Sequence, residues 1–267
     1  MNYKNNFWAF ILGGTGSFGL ATAKLLASKG FNLILVYRET KGNIQNLNSE
    51  FEILKQQCDV IQFNLNANEP ENQNIIVETL LKYPEIKNKI SFLLHAIADG
   101  NLRPLFANNE DSIEELNIED FHHTIKSMGT SLYLWTQLLF KNDFFAENSS
   151  VLGLTSEGST RFYNNYAAVA SAKSVMESNM RYIAVELAKY GIRANLLNVG
   201  ITDTPALKSF PDYKLFIDRA KERNPAKRLT TPEDVAKVIA FMASGDSQWI
   251  NGTIITVDGG EQLISLY

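Results

Sequence analysis

A parallel α/β sheet with helices on both faces is the fold class this sequence predicts. Three observations predict it. Short apolar runs alternate with helix-patterned stretches along the chain, the pattern that builds a parallel sheet. The first apolar run flows directly into a glycine-rich turn. The 267 residues, 45% of them hydrophobic, suit one domain over 1–267 with a full core.

Seven runs read as strands: Phe7–Leu12, Asn32–Tyr37, Val60–Asn64, Ile90–His95, Ser150–Thr155, Arg193–Val199 and Thr253–Val257. Helical stretches fall near 18–29, 73–82, 118–140, 165–190 and 232–243. Thr231-Pro232-Glu233-Asp234 starts the last helix with a cap, a first-turn proline and two acids. Gly30 and Gly191 stand where helices should stop.

The turn Gly13-Gly14-Thr15-Gly16-Ser17-Phe18-Gly19 lies between a strand and a helix. That setting, a Rossmann-type strand–turn–helix, brings a dinucleotide's diphosphate to a helix N-terminus. The second strand ends at Tyr37-Arg38-Glu39. An arginine here meets a 2′-phosphate and an acid meets a bare ribose. Arg38, with Lys41 after it, points to NADPH, and Glu39 leaves NADH open. Asn64-Leu65, at the end of the third strand, is placed to meet the adenine. Ala96-Ile97, after His95 and before Ala98, passes beneath the cofactor. His95 itself reads as a structural residue.

Tyr166 and Lys173 are seven positions apart, about two helical turns, and so share a face of a helix. A phenol is a poor acid near neutrality, and a nearby ammonium stabilises its phenolate. Such a pair can give a proton or hydrogen bond to a substrate carbonyl.

With these motifs in place the chain resembles the short-chain dehydrogenase/reductase superfamily over nearly its whole length. The usual pair there is Tyr-x-x-x-Lys, but Ala170 stands at that offset from Tyr166. The wider spacing is similar to the divergent branch of enoyl-acyl-carrier-protein reductases. Asn165-Tyr166, Glu177, Arg181-Tyr182-Ile183-Ala184-Val185-Glu186-Leu187 and Gly191-Ile192-Arg193-Ala194-Asn195 follow that branch's order. The runs Leu102-Arg103-Pro104, Ser159-Thr160-Arg161 and Asp203-Thr204-Pro205, continuing through Phe210-Pro211, look most like its NADPH-dependent bacillus-type members.

The resemblance implies reduction of an enoyl thioester, carried on acyl-carrier protein or coenzyme A, by a cytoplasmic homotetramer or dimer. It implies that Tyr166 stabilises the enolate and that Lys173 holds the nicotinamide ribose. Gly200, Ile201 and Thr204 would anchor the carboxamide, and residues 203–223 would form a lid. Ser156, ten positions before Tyr166, replaces a second tyrosine of better-known members. It either assists the carbonyl or is a structural hydroxyl. Met128 stands near where ordinary superfamily members carry a proton-relay asparagine, and Leu12 and Ser17 depart from the usual glycine loop.

Two rival readings stay open at this point, a 3-oxoacyl or other carbonyl reductase and a non-catalytic NADPH-binding sensor. Tyr163 reads as packing or pocket rim, and Phe140, Phe144 and Phe145 as core or interface. His122-His123 lacks partners at metal-ligand spacing, so no metal is expected. A net charge of −4 gives no nucleic-acid footprint, and no run approaches a membrane span. No targeting segment is expected from the polar start Met1-Asn2-Tyr3-Lys4-Asn5-Asn6. The single cysteine, Cys58, excludes an internal disulfide and reads as a small buried side chain.

Overall fold

The computed structural model describes residues 6–107, 114–210 and 212–265. Residues 1–5 of the polar start and Pro211 of the expected lid lie outside the described residues.

Seven strands form one sheet: β1 (Trp8–Leu12), β2 (Asn32–Tyr37), β3 (Val60–Asn64), β4 (Ile90–His95), β5 (Phe145–Thr155), β6 (Arg193–Val199) and β7 (Ile254–Val257). The order is β3-β2-β1-β4-β5-β6-β7. Every recorded pair is parallel, from Trp8 opposite Asn32 to Val199 opposite Val257. β1, β2 and β4 are buried at every position, so they carry unbroken apolar runs rather than alternation. The chain leaves β1 in one direction to build β2 and β3, then returns to build β4 on its other side. The crevice at the carboxyl ends of β1 and β4 is therefore the switch point where such sheets bind ligands.

On one face pack α1 (Ser17–Ser28) and α9 (Pro232–Met242), with Leu26, Phe31, Val235 and Ile239 in the core they cover. On the other face lie α3 (Pro70–Leu80), α5 (Ser131–Lys141) and α6 (Ala167–Glu186). There the Trp135 ring packs 5.2 Å from that of Phe10, tilted by 40°, and its indole N–H donates to the Ala67 carbonyl at 3.0 Å. Phe144 and Phe145 are core, as expected. Cys58 is buried, which pushes its thiol up to about 11. The Thr231–Asp234 capping box closes in both directions, the backbone N–H of each residue meeting the other's side chain.

Four local expectations need correction. An unforeseen helix, α2 (Lys41–Lys55), fills the crossover from β2 to β3. Strand β5 begins at Phe145, five residues early. The expected helix over 118–140 is broken into α4 (Ile118–Thr124), a π-helical turn (Ile125–Thr130) and α5. The helix near 165–190 starts at Ala167, leaving Tyr166 outside as its cap residue.

Candidate active site

Gly13 ends β1 at a positive φ of 81°. A Cβ there would stand 2.6 Å from the Ala96 carbonyl oxygen, so the β1 and β4 ends close up only on glycine. At Gly19 a Cβ would come within 2.1 Å of the Gly13 carbonyl oxygen. These two positions hold the turn tight against the start of α1, where Ser17 is the first helical residue. The cradle fits a dinucleotide diphosphate despite the departures at Leu12 and Ser17.

The end of β2 is organised around Glu39. The Asn64 side chain accepts from the Glu39 N–H at 2.8 Å and donates to its carbonyl at 3.0 Å. The Glu39 carboxylate accepts from Thr15 Oγ1 at 2.9 Å and from Asn43 Nδ2 at 2.9 Å. Asn64 is therefore committed to the β2 end rather than to the adenine edge, and Leu65 packs on the core. Arg38 extends the other way and pairs with Asp99 at 3.3 Å. An anion thus lies against the glycine loop, and the expected 2′-phosphate cation is the more exposed of the two.

Asn165 takes a left-handed φ of 60° and turns the chain so that Tyr166 precedes α6. The expected shared helical face is replaced by a turn that aims the phenol toward β5. Its ring fits where Gly158 has no side chain; a Cβ there would meet Tyr166 Cε1 at 2.3 Å. Ser156 Oγ and Tyr166 Oη lie 3.1 Å apart, and either can donate. Burial raises the Tyr166 pKa above the ordinary phenol value, and the Ser156 hydrogen bond offsets part of that. The phenol is thus protonated at neutral pH, a hydrogen-bond donor rather than the facile acid expected from a neighbouring ammonium.

Lys173, two turns into α6, is buried, and its ammonium donates to the Leu154 carbonyl at 2.8 Å. Burial pulls it down to about 8, against the favourable charge of Glu177. His95 is buried, and burial, then the charge of Lys173, pulls it down to about 3. Ser131 gives its proton to the Ser127 carbonyl at 2.6 Å, so His95 Nε2–H donates to Ser131. His95 is a neutral structural group, as expected.

A cavity of about 280 Å³ opens at Tyr166 and Lys173, lined by Phe18, Ala96, Ile97, Ser156, Gly200, Ile201 and Thr204 among others; Gly13, Glu39 and Asn64 lie outside its lining. Met128, on the π-helical turn, lines it with a thioether that cannot relay a proton. Thr204 caps α7 (Pro205–Lys208), and α8 (Tyr213–Arg223) follows. Four rings close the pocket from this side: Tyr163 lies 5.6 Å from Phe216, Phe216 5.3 Å from Phe210, and Phe210 5.7 Å from Tyr166. Sequence reasoning missed Phe210, Phe216, Glu39's hold on the loop and Glu157, an acid buried beside Ser156. Phe210 and Phe216 stand among Leu207, Tyr213, Leu215 and Ile217, so the sequence offered the apolar character of the segment but no signal for which rings face the pocket.

A dinucleotide cradle at the switch point, with a buried lysine and a tyrosine–serine donor pair above it, defines a nicotinamide-dependent oxidoreductase. The family model for enoyl-acyl-carrier-protein reductases matches residues 13–262, and the chain belongs to that family. It is 27% identical over 264 residues to a 1-cyclohexenylcarbonyl-CoA reductase of Streptomyces collinus, covering 96% of this chain and 87% of that one. It is 24% identical over 262 residues to the NADPH-dependent enoyl-acyl-carrier-protein reductase of Staphylococcus aureus, covering 97% and 98%. The enoyl-acyl-carrier-protein reductase of Bacillus cereus, solved with NADP⁺ and an indole naphthyridinone, superposes over the full length of both chains. Its TM-score is 0.84 at 24% identity, a likeness of fold. Relatives named for NADH and for NADPH both occur.

Proposed function

We propose that this protein reduces the carbon–carbon double bond of an enoyl thioester carried on acyl-carrier protein or coenzyme A. The observation that carries the reading is the Ser156–Tyr166 hydroxyl pair facing an apolar pocket, with Met128 where a proton relay would be needed for ketones. A dinucleotide held by the Gly13–Gly19 turn would supply a hydride for the β-carbon. Tyr166 Oη donates to the thioester oxygen as negative charge collects there, with Ser156 beside it as a second donor. In this reading Lys173 adds positive charge beneath the site and would hold ribose hydroxyls with the donors that its bond to the Leu154 carbonyl leaves over. The enolate needs protonation at carbon, which water can provide, so no buried relay is required. Gly200, Ile201 and Thr204 line the pocket, and in this reading they would border the nicotinamide carboxamide. Residues 203–223 serve as the lid.

Arg38 and Glu39 oppose each other in cofactor choice. We infer that both NADPH and NADH are oxidised, with a preference of less than about tenfold either way. Glu39→Lys is expected to shift the ratio of kcat/KM values toward NADPH by roughly tenfold, the effect of reversing one charge beside a phosphate. An unchanged ratio would remove Glu39 from cofactor choice.

We further propose a homotetramer or dimer, which the exposed Tyr133, Tyr182, Val185 and Tyr190 on and after α5 and α6 support as an interface, and a cytoplasmic location. Light scattering at the mass of one 30.0 kDa chain would overturn the oligomer. Among the described residues no helix is long and apolar enough to cross a membrane.

The deciding assay follows NADPH and NADH oxidation with crotonyl and acetoacetyl thioesters side by side. Consumption with the crotonyl substrate alone is the expected result. Consumption with the oxoacyl substrate alone would make this a ketoreductase. Dinucleotide binding without turnover on either would make it a sensor.

A further inference from the structure

Glu157 immediately follows Ser156, and its side chain is only 8% exposed. An acid this buried is costly unless paired and hydrogen-bonded. Its principal partner is Arg223, the last residue of α8, whose two terminal nitrogens meet the two carboxylate oxygens at 2.9 and 2.8 Å. This bidentate fork is the strongest geometry an arginine and a carboxylate can make. Arg161 adds a second guanidinium at 3.2 Å, and the Tyr163 hydroxyl donates to the same carboxylate. These partners together hold the Glu157 pKa below its ordinary value, although burial alone would raise it. Arg223 Nε also donates to the Glu261 carbonyl, at 3.3 Å.

The cluster ties the end of the lid, 66 residues away in sequence, to the residue next to the donor pair. Tyr163 links it to the pocket wall. Its hydroxyl is held by Glu157, while its ring touches Phe216 of α8 at 5.6 Å and Tyr166 at 6.1 Å. Whatever holds Arg223 on Glu157 therefore also holds the aromatic wall over the acyl site. The cofactor cradle at Gly13, Gly19 and Glu39 shares none of these bonds.

We propose that Glu157 and Arg223 are positioning residues, a latch that keeps the lid closed over the acyl chain and orients Tyr163 beside Tyr166. The kinetic part of this proposal rests on the enoyl reductase reading; the lid part does not. The latch acts chiefly on thioester binding: it makes no bond to the diphosphate cradle, and it reaches the nicotinamide side only at one remove, through Glu261, which accepts from the Ile201 N–H.

The test compares Arg223→Ala, Glu157→Gln, Arg223→Lys and Tyr163→Phe with the parent protein, using crotonyl-CoA and NADPH. Arg223→Ala and Glu157→Gln are expected to raise KM for crotonyl-CoA about tenfold or more, with the NADPH Kd within about twofold. Arg223→Lys keeps the charge and loses the fork, so its KM should fall between. Tyr163→Phe removes one hydroxyl and leaves the ring, which keeps the proposal testable where a charge deletion fails to fold. It should raise KM by about threefold. Hydrogen exchange without substrate is the second readout: residues 205–223 should exchange faster in each variant, with β1 and α1 unchanged. Unaltered lid exchange and KM in folded Arg223→Lys and Tyr163→Phe would overturn the latch. So would a rise in NADPH Kd parallel to KM. If crotonyl-CoA is not a substrate, the enoyl reading fails while lid exchange still decides the latch.

Discussion

Replacing Tyr166 by phenylalanine should lower kcat for enoyl thioester reduction about 10²–10³-fold, the loss seen when one preorganised donor to a developing oxyanion is removed. The change deletes a single oxygen. The ring keeps its seat against Gly158 and its contacts with Tyr163 and Phe210, so the pocket wall should stay intact. NADPH affinity should stay within about twofold, because the dinucleotide cradle gains and loses nothing. Single-turnover kinetics with crotonyl thioester and cofactor titration by fluorescence would measure both. A kcat equal to the parent's would move the donor role elsewhere, with Ser156, 3.1 Å away, the next hydroxyl to test.

Lys173 should produce the second large effect, and it carries a pH signature. Burial lowers its pKa from the ordinary 10.5 to about 8. The ammonium is therefore present below pH 8 and is lost as pH rises through that value. If its charge supports turnover, kcat/KM, which reports the free enzyme, should fall above about pH 8. Stability moves in the opposite sense. Between about 8 and 10.5 the unfolded chain holds a proton that the folded chain has released, so this group adds stability as pH rises through that window. Lys173→Ala should lose turnover and weaken cofactor binding together, in contrast to the Tyr166 variant. Lys173→Arg stays charged and should carry whatever activity it retains past pH 8 without the decline. A flat parent profile from pH 7 to 10 would show that the charge of Lys173 is not used.

The centre of the sheet was legible because β1, β2 and β4 are buried at every position and read as largely apolar runs between turns. Helix α2 was legible too, though the strand–helix reading passed over it: Ile44, Leu47, Phe51 and Leu54 recur at a 3-4-3 spacing, and these are the side chains it turns to the core. Its one start signal was Thr40, whose hydroxyl accepts from the Asn43 N–H. The residue types of the site were legible from motif spacing, but their geometry was not. Periodicity placed Tyr166 on a helix, and one left-handed asparagine before it moved it off. Arg38 and Glu39 are neighbours whose directions depend on Asp99, Thr15 and Asn64, all distant in sequence. The Glu157–Arg223 pair joins the residue after Ser156 to the last residue of α8, 66 positions on, a pairing that local periodicity does not reach.

The all-parallel order β3-β2-β1-β4-β5-β6-β7 also sets a timetable. Parallel neighbours need a crossover before they can pair, and long-range pairings are slow to form. A chain emerging from the ribosome cannot complete the partners of β1 until Ile90–His95 has been made. At that stage the glycine loop, Glu39 and Ala96 can come together, while Tyr166 and Lys173 have not yet been synthesised. The catalytic half then needs β6, and the clasp on Glu157 needs Arg223, far closer to the end of translation. The parts of the dinucleotide cradle are thus synthesised first and the Glu157–Arg223 pair is completed last. A slow pause or a truncation late in synthesis would leave a species able to hold dinucleotide with its apolar pocket uncovered, and that species is the one most exposed to aggregation.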